Sequence, residues 1–211
     1  MGVRAGGGRS MTVSIPLSPG HTVELTVGNI RLQPDLDVVV TTVNSRPDFV
    51  SRSARLKMPG FPGGSSPSDP SLGTLDPGQA VMIAIHSTQS RFVILCLESL
   101  YRINPDWEKS LRTSFRNSMD LAEWQSLGSL GFPGTLSGGF SHPLASAAAI
   151  ALETVADRLP RSPSLRVVRF VLSDSAHLSI FEKIAAGILR RRNAAIHETP
   201  TTPHPPCLTK I

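Results

Sequence analysis

The chain has 211 residues, of which 40% are hydrophobic and 18% are charged. This length predicts one domain with a sizeable core. No stretch reaches the roughly 18 apolar residues of a membrane span, and the first residues lack the apolar core of a secretion signal. We therefore expect an intracellular protein, cytoplasmic or nuclear, without membrane contact. The formal net charge of +5 suits phosphate-bearing ligands or a nucleic-acid surface, and charge alone does not choose between them.

The two cysteines predict neither a disulfide framework nor a metal site. Cys96 lies within an apolar run and is expected to be a small buried hydrophobe, whereas Cys207 follows two prolines in a polar stretch. Neither has metal-ligand spacing, so we expect a reducing compartment, no metal and no cofactor.

Seven short apolar segments predict the strands of one sheet. The segment 38–43 is β-branched and lacks polar alternation, which is typical of a central strand buried on both faces. The predicted strands are 11–17, 21–27, 38–43, 80–86, 91–97, 129–132 and 166–172.

Three longer segments predict helices between these strands. The segment 105–127 has spaced apolar positions that suit an amphipathic helix, and 143–159 is rich in alanine, opens with proline and stops before Pro160. The third helix is predicted over 176–192. Strands that alternate with helices predict a three-layer α/β/α sandwich with a mixed central sheet.

The ends and one internal segment carry no periodic pattern. Residues 1–10 and 193–211 are expected to be disordered, which leaves a domain over 11–192. The segment 58–77 is dense in Pro, Gly and Ser, and we expect an irregular loop there.

Three motifs, in their order along the chain, resemble the macro domain family. Gly28-Asn29-Ile30 closes an early strand where the family has Gly-Asp-Ile, and DVVVTTVN at 37–44 resembles its strand ending in Asn. The segment 131–143 (GFPGTLSGGFSHP) resembles the family's strand, small-residue loop and Ala-rich helix, and 165–174 resembles its last strand-to-helix unit. The resemblance covers about residues 20–190 and implies a pocket for ADP-ribose.

The small residues from Gly134 to Gly139 suit a diphosphate independently of the family. Such residues let the backbone approach a ligand closely, and the following helix presents its positive end to the same space. We expect Ser137, Gly138 and Gly139 to bind the phosphates. The alternative is a plain connector.

The resemblance places the remaining ligand contacts. It implies that Asn44 contacts the distal ribose; the alternative is that Asn44 caps a helix starting near Pro47. Phe140 would lie against the distal ribose and the phosphates, or else pack under its own loop. Asn29 and Ile30 would meet adenine, with Asn29 standing where the family has a carboxylate. Ser173 stands where many relatives have an aromatic residue that stacks on adenine.

The segment after Asn44 departs from the hydrolytic members of the family. Those members carry Gly-Gly-Gly-Val and an acidic residue or an equivalent water-positioning group there, whereas this chain reads SRPDF at 45–49. Catalytic residues therefore stay unassigned. The sequence predicts a module that binds ADP-ribose, free or on an ADP-ribosylated protein, or a related adenine diphosphate nucleotide. Two alternatives stay open: a hydrolase that removes ADP-ribose from proteins or deacylates its esters, and a ligand-free scaffold that contacts protein or RNA.

Overall fold

The computed structural model describes residues 12–43, 77–84, 92–97, 104–134 and 143–197. Seven strands form one sheet, and their bounds are β1 Thr12–Ser18, β2 His21–Val27, β3 Val38–Val43, β4 Ala80–Ala84, β5 Phe92–Leu97, β6 Ser129–Pro133 and β7 Val167–Leu172. The described residues also form three helices, α1 Trp107–Trp124, α2 Leu144–Arg158 and α3 Ser175–His197. Within the same ranges, short 3-10 helices occupy Ile30–Leu32 and Leu159–Arg161.

The strands are ordered β1-β2-β7-β6-β3-β5-β4 across the sheet. The inner pairs β2–β7, β7–β6, β6–β3 and β3–β5 are parallel, whereas the edge pairs β1–β2 and β4–β5 are antiparallel. The predicted mixed sheet is confirmed.

The predicted elements recur with shifts of a few residues at their ends. The largest difference is in α3, which continues to His197, past the predicted domain end at Arg192. The segment 1–10, nearly all of 58–77 and the chain after 197 lie outside the described residues, so the predictions made for them remain predictions.

Both faces of the sheet carry buried apolar side chains, supplied by alternate residues of the strands. One face carries Val40, Cys96 and Phe170, which share a core with apolar residues of all three helices. The opposite face carries Val93 and Leu95, which are 1% and 3% exposed. Burial of both faces is what an α/β/α sandwich requires.

Phenylalanines link the sheet to the helices on the first face. The Phe132 and Phe170 rings stack with centroids 5.7 Å apart, Phe115 of α1 meets the edge of Phe132 at 4.7 Å, and Phe181 of α3 lies 5.4 Å from Phe170. Four of the eight phenylalanines thus form one chain of ring contacts, although aromatic residues are scarce in the sequence. Cys96 is buried as predicted, and burial raises the pKa of its thiol to about 12.

Asp37 fixes the relative position of β3 and β6. Its Oδ2 accepts hydrogen bonds from the backbone N–H of Gly128 at 2.9 Å and of Ser129 at 3.1 Å. These bonds tie the start of β3 to the start of β6, next to the positions where the two strands pair.

Candidate functional site

The carboxyl ends of the parallel strands meet at one edge of the sheet. The chain leaves β3 towards β4 and β5, whereas it leaves β6 towards β7, in the opposite direction. Such a switch point opens a crevice where α/β sheets bind ligands. The end of β3, followed by Asn44, and the end of β6, followed by Gly134, therefore flank the candidate site.

Gly134 occupies a place where no side chain fits. Its N–H donates to the carbonyl of Val171 at 2.7 Å. A Cβ at this position would lie 2.3 Å from Leu172 Cδ2, 3.1 Å from Leu172 Cα and 3.2 Å from the Val171 carbonyl oxygen. The small-residue segment predicted to bind phosphate therefore begins pressed against the end of β7.

The amino end of α2 points to the same edge, because α2 joins the carboxyl end of β6 to the amino end of β7. Pro143 is its N-cap residue, and no side chain of the described residues caps the first N–H groups. Uncapped N–H groups and the positive end of the helix dipole both favour an anion.

The turn after β2 brings Asn29 beside Ser173. Val27 and Leu172 are register partners, and the Gly28 N–H donates to the Leu172 carbonyl at 2.9 Å. Asn29 and Ser173 leave the sheet directly beyond this pair, and both are exposed. The two residues that the sequence assigned to the base therefore follow the ends of neighbouring strands.

Asn29 acts as the cap of the short helix Ile30–Leu32. Its Oδ1 accepts from the backbone N–H of Arg31 at 3.0 Å, and its carbonyl accepts from the backbone N–H of Leu32 at 2.9 Å. Ile30 packs its side chain over β6, with Cδ1 3.0 Å from the place where a Cβ on Gly131 would stand. Gly131 therefore makes room for Ile30 beneath the turn.

The remaining predicted contacts, Asn44, Ser137, Gly138, Gly139 and Phe140, lie outside the described residues. Their roles remain predictions, supported by the positions of the neighbouring residues at the ends of β3 and β6.

Arg169 is a residue of this region that sequence reasoning missed. Its guanidinium donates to Glu24 Oε2 at 2.7 Å, to Gln33 Oε1 at 2.9 Å and to both carboxylate oxygens of Asp35 at 2.8 and 2.7 Å. The hydrogen bond from Arg169 holds the pKa of Asp35 below its usual value, and the bond to Asp35 raises the pKa of Arg169. This network fastens the segment that follows Asn29 to the middle of β7. A lone arginine within the apolar strand VVRFVL is the signal that could have identified it.

Asp174 caps α3 directly after Ser173. Its Oδ1 accepts from the backbone N–H of His177 at 2.9 Å, and its Oδ2 lies 2.8 Å from His177 Nδ1. The backbone hydrogen bond from His177 lowers the pKa of Asp174, so this carboxylate is charged near the base position.

A cleft of about 260 Å³ lies between α1 and α2. Arg158 pairs with Asp120 across it, and Asp157 pairs with Arg192 at 3.2 Å. Arg116 and Arg161 also line it and form no ion pair with any described residue. Within the described ranges, no three His, Cys, Asp or Glu side chains cluster as a metal site would require, and no helix is long and apolar enough to cross a membrane.

A family model and a curated relative each match part of this chain. The family model named Macro domain matches residues 68–151. An O-acetyl-ADP-ribose deacetylase of Cronobacter turicensis is 32% identical over 113 residues, which cover 53% of this chain and 64% of that protein. The chain thus spans less than two thirds of this curated relative.

Solved structures extend the likeness over most of the chain. The Oceanobacillus iheyensis macrodomain with ADP superimposes with a TM-score of 0.71 at 20% identity, covering 87% of this chain and all of that one. The macro domain of ganglioside induced differentiation associated protein 2 gives a TM-score of 0.67 at 26% identity, with coverage of 78% and 82%. The chain has the macro domain fold. In this fold, the described parts of the three motifs lie in β3, in β6 and in the turn after β2.

Proposed function

We propose that this macro domain binds ADP-ribose, or a related adenine diphosphate nucleotide, at the carboxyl edge of the sheet. The observation that carries the proposal is the arrangement at the switch point. There Gly134, the first of the small residues, lies against the end of β7, and α2 begins at Leu144 without a side-chain hydrogen bond from its N-cap residue. Backbone N–H groups and a helix dipole converging on one space suit a diphosphate.

The base would lie at the neighbouring turn, since Asn29 and Ser173 leave the sheet side by side. We assign the phosphates to Ser137, Gly138 and Gly139, and the distal ribose to Asn44 and Phe140. The ends of β2, β7, β6 and β3 are consecutive across the sheet, so base, diphosphate and ribose would follow one another along its edge.

The relatives support a nucleotide ligand. The domain from Oceanobacillus iheyensis and a macrodomain of Trypanosoma brucei, which has a TM-score of 0.60 at 19% identity, were both solved with ADP. The partners we propose are free ADP-ribose and ADP-ribosylated proteins, inside the cell.

The affinity should be modest. Asn29 lacks the charge of the carboxylate that the family has there, and Ser173 lacks the stacking surface of an aromatic residue. Each loss should cost about 1 kcal/mol, so the two together should weaken binding roughly tenfold or more.

A second candidate is hydrolysis, and the name of the Cronobacter turicensis relative favours it. The sequence after Asn44 lacks the glycine-rich loop of hydrolytic relatives, and a poorly placed water loses most of the advantage of positioning. We therefore expect hydrolysis of ADP-ribose esters or of ADP-ribosylated proteins to be slow or absent.

A third candidate is contact with RNA or protein at the α1–α2 cleft. It is favoured by Arg116 and Arg161, whose guanidinium groups are exposed and form no described ion pair. Binding of RNA there should weaken steeply with salt, and Arg116→Glu with Arg161→Glu should reduce it further.

The test of the first proposal is calorimetric titration with ADP-ribose, ADP and AMP, together with a deacetylation assay on O-acetyl-ADP-ribose. We expect ADP-ribose to bind more tightly than AMP, because AMP lacks the diphosphate, and we expect little turnover. Equal affinity for AMP and ADP-ribose would contradict the proposed diphosphate site. Efficient turnover would show that the protein hydrolyses O-acetyl-ADP-ribose.

A further inference from the structure

We propose that Asp174 makes the nucleotide site select ligands whose proximal ribose, the sugar attached to the base, carries free hydroxyl groups. A nucleotide with a phosphate on that sugar, such as 2′-phospho-ADP-ribose, binds more weakly because the carboxylate repels it. The inference rests on the proposed function, from which it takes the places of the base and of the diphosphate. It adds a residue that determines the class of nucleotide the site accepts.

The end of β7 lies between the two places that the proposed function assigns. In the sheet, β7 is the strand between β2 and β6. The Leu172 carbonyl accepts from the Gly28 N–H at 2.9 Å, at the start of the turn proposed for the base. The Val171 carbonyl accepts from the Gly134 N–H at 2.7 Å, where the small-residue segment proposed for the diphosphate begins. The proximal ribose joins base to diphosphate, so it would lie at the end of β7, beside Asp174.

Asp174 carries a negative charge at this point, and no permanent cation neutralises it. Its side chain is 50% exposed, and the backbone hydrogen bond from His177 lowers the pKa of its carboxyl. Among the described residues, no arginine or lysine forms an ion pair with Asp174, and its close charged partner is the imidazole of His177 at 2.8 Å. A ligand at the end of β7 therefore meets an exposed carboxylate.

The same carboxylate occupies the place where the amino end of α3 could hold a phosphate. Its Oδ1 accepts from the backbone N–H of His177 at 2.9 Å, and a hydrogen bond from the Ala176 N–H also contributes to its lowered pKa. These first N–H groups of α3 are thus used by a residue of the chain itself. The amino end of α2 differs, since no side chain of the described residues caps it. An anionic group is therefore favoured at α2 and disfavoured at α3.

A hydroxyl group and a phosphate group would interact with Asp174 in opposite ways. Each carboxylate oxygen accepts one hydrogen bond from His177 and keeps a lone pair, so a ribose hydroxyl can donate to it. A phosphomonoester instead carries close to two negative charges near neutral pH. In dinucleotide-binding folds, an acidic residue likewise bonds the ribose 2′-hydroxyl of NAD, whereas an arginine accommodates the 2′-phosphate of NADP.

The test is calorimetric titration with ADP-ribose and with 2′-phospho-ADP-ribose at pH 8, where imidazoles are uncharged. Wild type should bind the phosphorylated ligand about tenfold more weakly, as repulsion across roughly 5 Å of water would give. In Asp174→Asn the difference should fall to about twofold or less, because the amide loses the charge and keeps an acceptor for the His177 N–H. Asp174→Ser also keeps a capping oxygen and should behave like Asp174→Asn.

Asp157→Asn is the matched control. Asp157 lies in the last turn of α2, at the edge of the sheet away from the site, and its side chain is 75% exposed. This variant loses the same charge and should keep the full difference between the two ligands. Affinity for ADP-ribose itself should change by less than about threefold in all three variants, which shows that each still forms the site.

Each outcome decides a different statement. If wild type binds 2′-phospho-ADP-ribose as well as ADP-ribose, or better, the selection by Asp174 is wrong while the proposed function stands. If wild type discriminates and both Asp174→Asn and Asp174→Ser keep the full difference, Asp174 is not its origin and the inference is overturned. If neither ligand binds to wild type, the proposed function falls and the inference with it.

Discussion

Arg169, in the middle of β7, donates two hydrogen bonds to the carboxylate of Asp35, from Nη1 to Oδ1 at 2.8 Å and from Nη2 to Oδ2 at 2.7 Å. Asp35 belongs to the segment that begins with Asn29, so this pair holds the proposed base turn against the sheet. Arg169 is also bonded to Glu24 of the neighbouring strand, and its side chain is only 12% exposed. We expect it to act as a positioning residue, because its hydrogen bonds go to the segment after Asn29 and to β2.

Replacing Arg169 by methionine should therefore reduce both stability and nucleotide affinity. The change leaves the half-buried Glu24 carboxylate without its partner, which should cost about 1–3 kcal/mol in the free energy of unfolding. Urea unfolding and calorimetric titration measure the two effects. Arg169→Lys keeps the charge but loses the two-nitrogen contact with Asp35, so it should recover part of the stability and less of the affinity. Unchanged affinity in a destabilised Arg169→Met domain would contradict the positioning role.

The same pair predicts how stability depends on pH. The pKa of Asp35 is lower in the folded state than its ordinary value, so the ionised carboxylate stabilises the fold above about pH 4. That contribution is lost as the pH falls through the lowered pKa. Asp35→Asn should be less stable than wild type at pH 7, and the difference should shrink between pH 4 and pH 2. Urea unfolding over this range measures it, and a difference that stays constant with pH would count against the ion pair.

Gly134 should not tolerate even a methyl group. Its Cβ would approach backbone atoms of Val171 and Leu172 that cannot move without opening the sheet. We expect Gly134→Ala to lower the free energy of unfolding by about 1–3 kcal/mol and to weaken binding of ADP-ribose. Gly187 in α3 is the matched control, because its Cβ would meet nothing within 4 Å, and Gly187→Ala should stabilise the helix by up to about 1 kcal/mol. Equal stability of the two variants would show that the close approach at Gly134 is absent.

Ser173→Tyr should restore a stacking surface for the base. Ser173 is exposed and stands beside Asn29, so a ring there can cover one face of a purine without displacing the core. We expect ADP-ribose to bind about threefold to tenfold more tightly, as one aromatic contact contributes. Ser173→Leu adds apolar bulk without a ring and should gain less. A tyrosine variant that binds like wild type would place the base elsewhere.

The strands and helices could be predicted from the sequence because their signals are local. The apolar run 38–43 and the proline-bounded segment 143–159 each carry their own evidence, and the structure places β3 and α2 there. The Arg169 network could not be predicted in the same way, since its partners Glu24, Gln33 and Asp35 lie more than a hundred residues earlier. They reach it through the parallel pairing of β2 with β7 and through the segment that follows β2.

The candidate site shows the same division between local and distant signals. The sequence places small residues after β6 and a polar residue after β2. The adjacency of Asn29 and Ser173 depends on the register of Val27 with Leu172, which no local pattern encodes. The capping bond between Asn29 Oδ1 and Arg31 was also beyond prediction, because the same side chain could equally have faced a ligand.

Calorimetric titration of ADP-ribose into wild type, Gly138→Glu and Gly187→Glu tests the central claim most directly. A carboxylate in the proposed diphosphate site should abolish binding through repulsion and bulk, whereas the same residue at the open position in α3 should leave binding unchanged. The account predicts binding by wild type and Gly187→Glu and none by Gly138→Glu. Binding of ADP-ribose by Gly138→Glu with the affinity of wild type would contradict the site at this edge of the sheet.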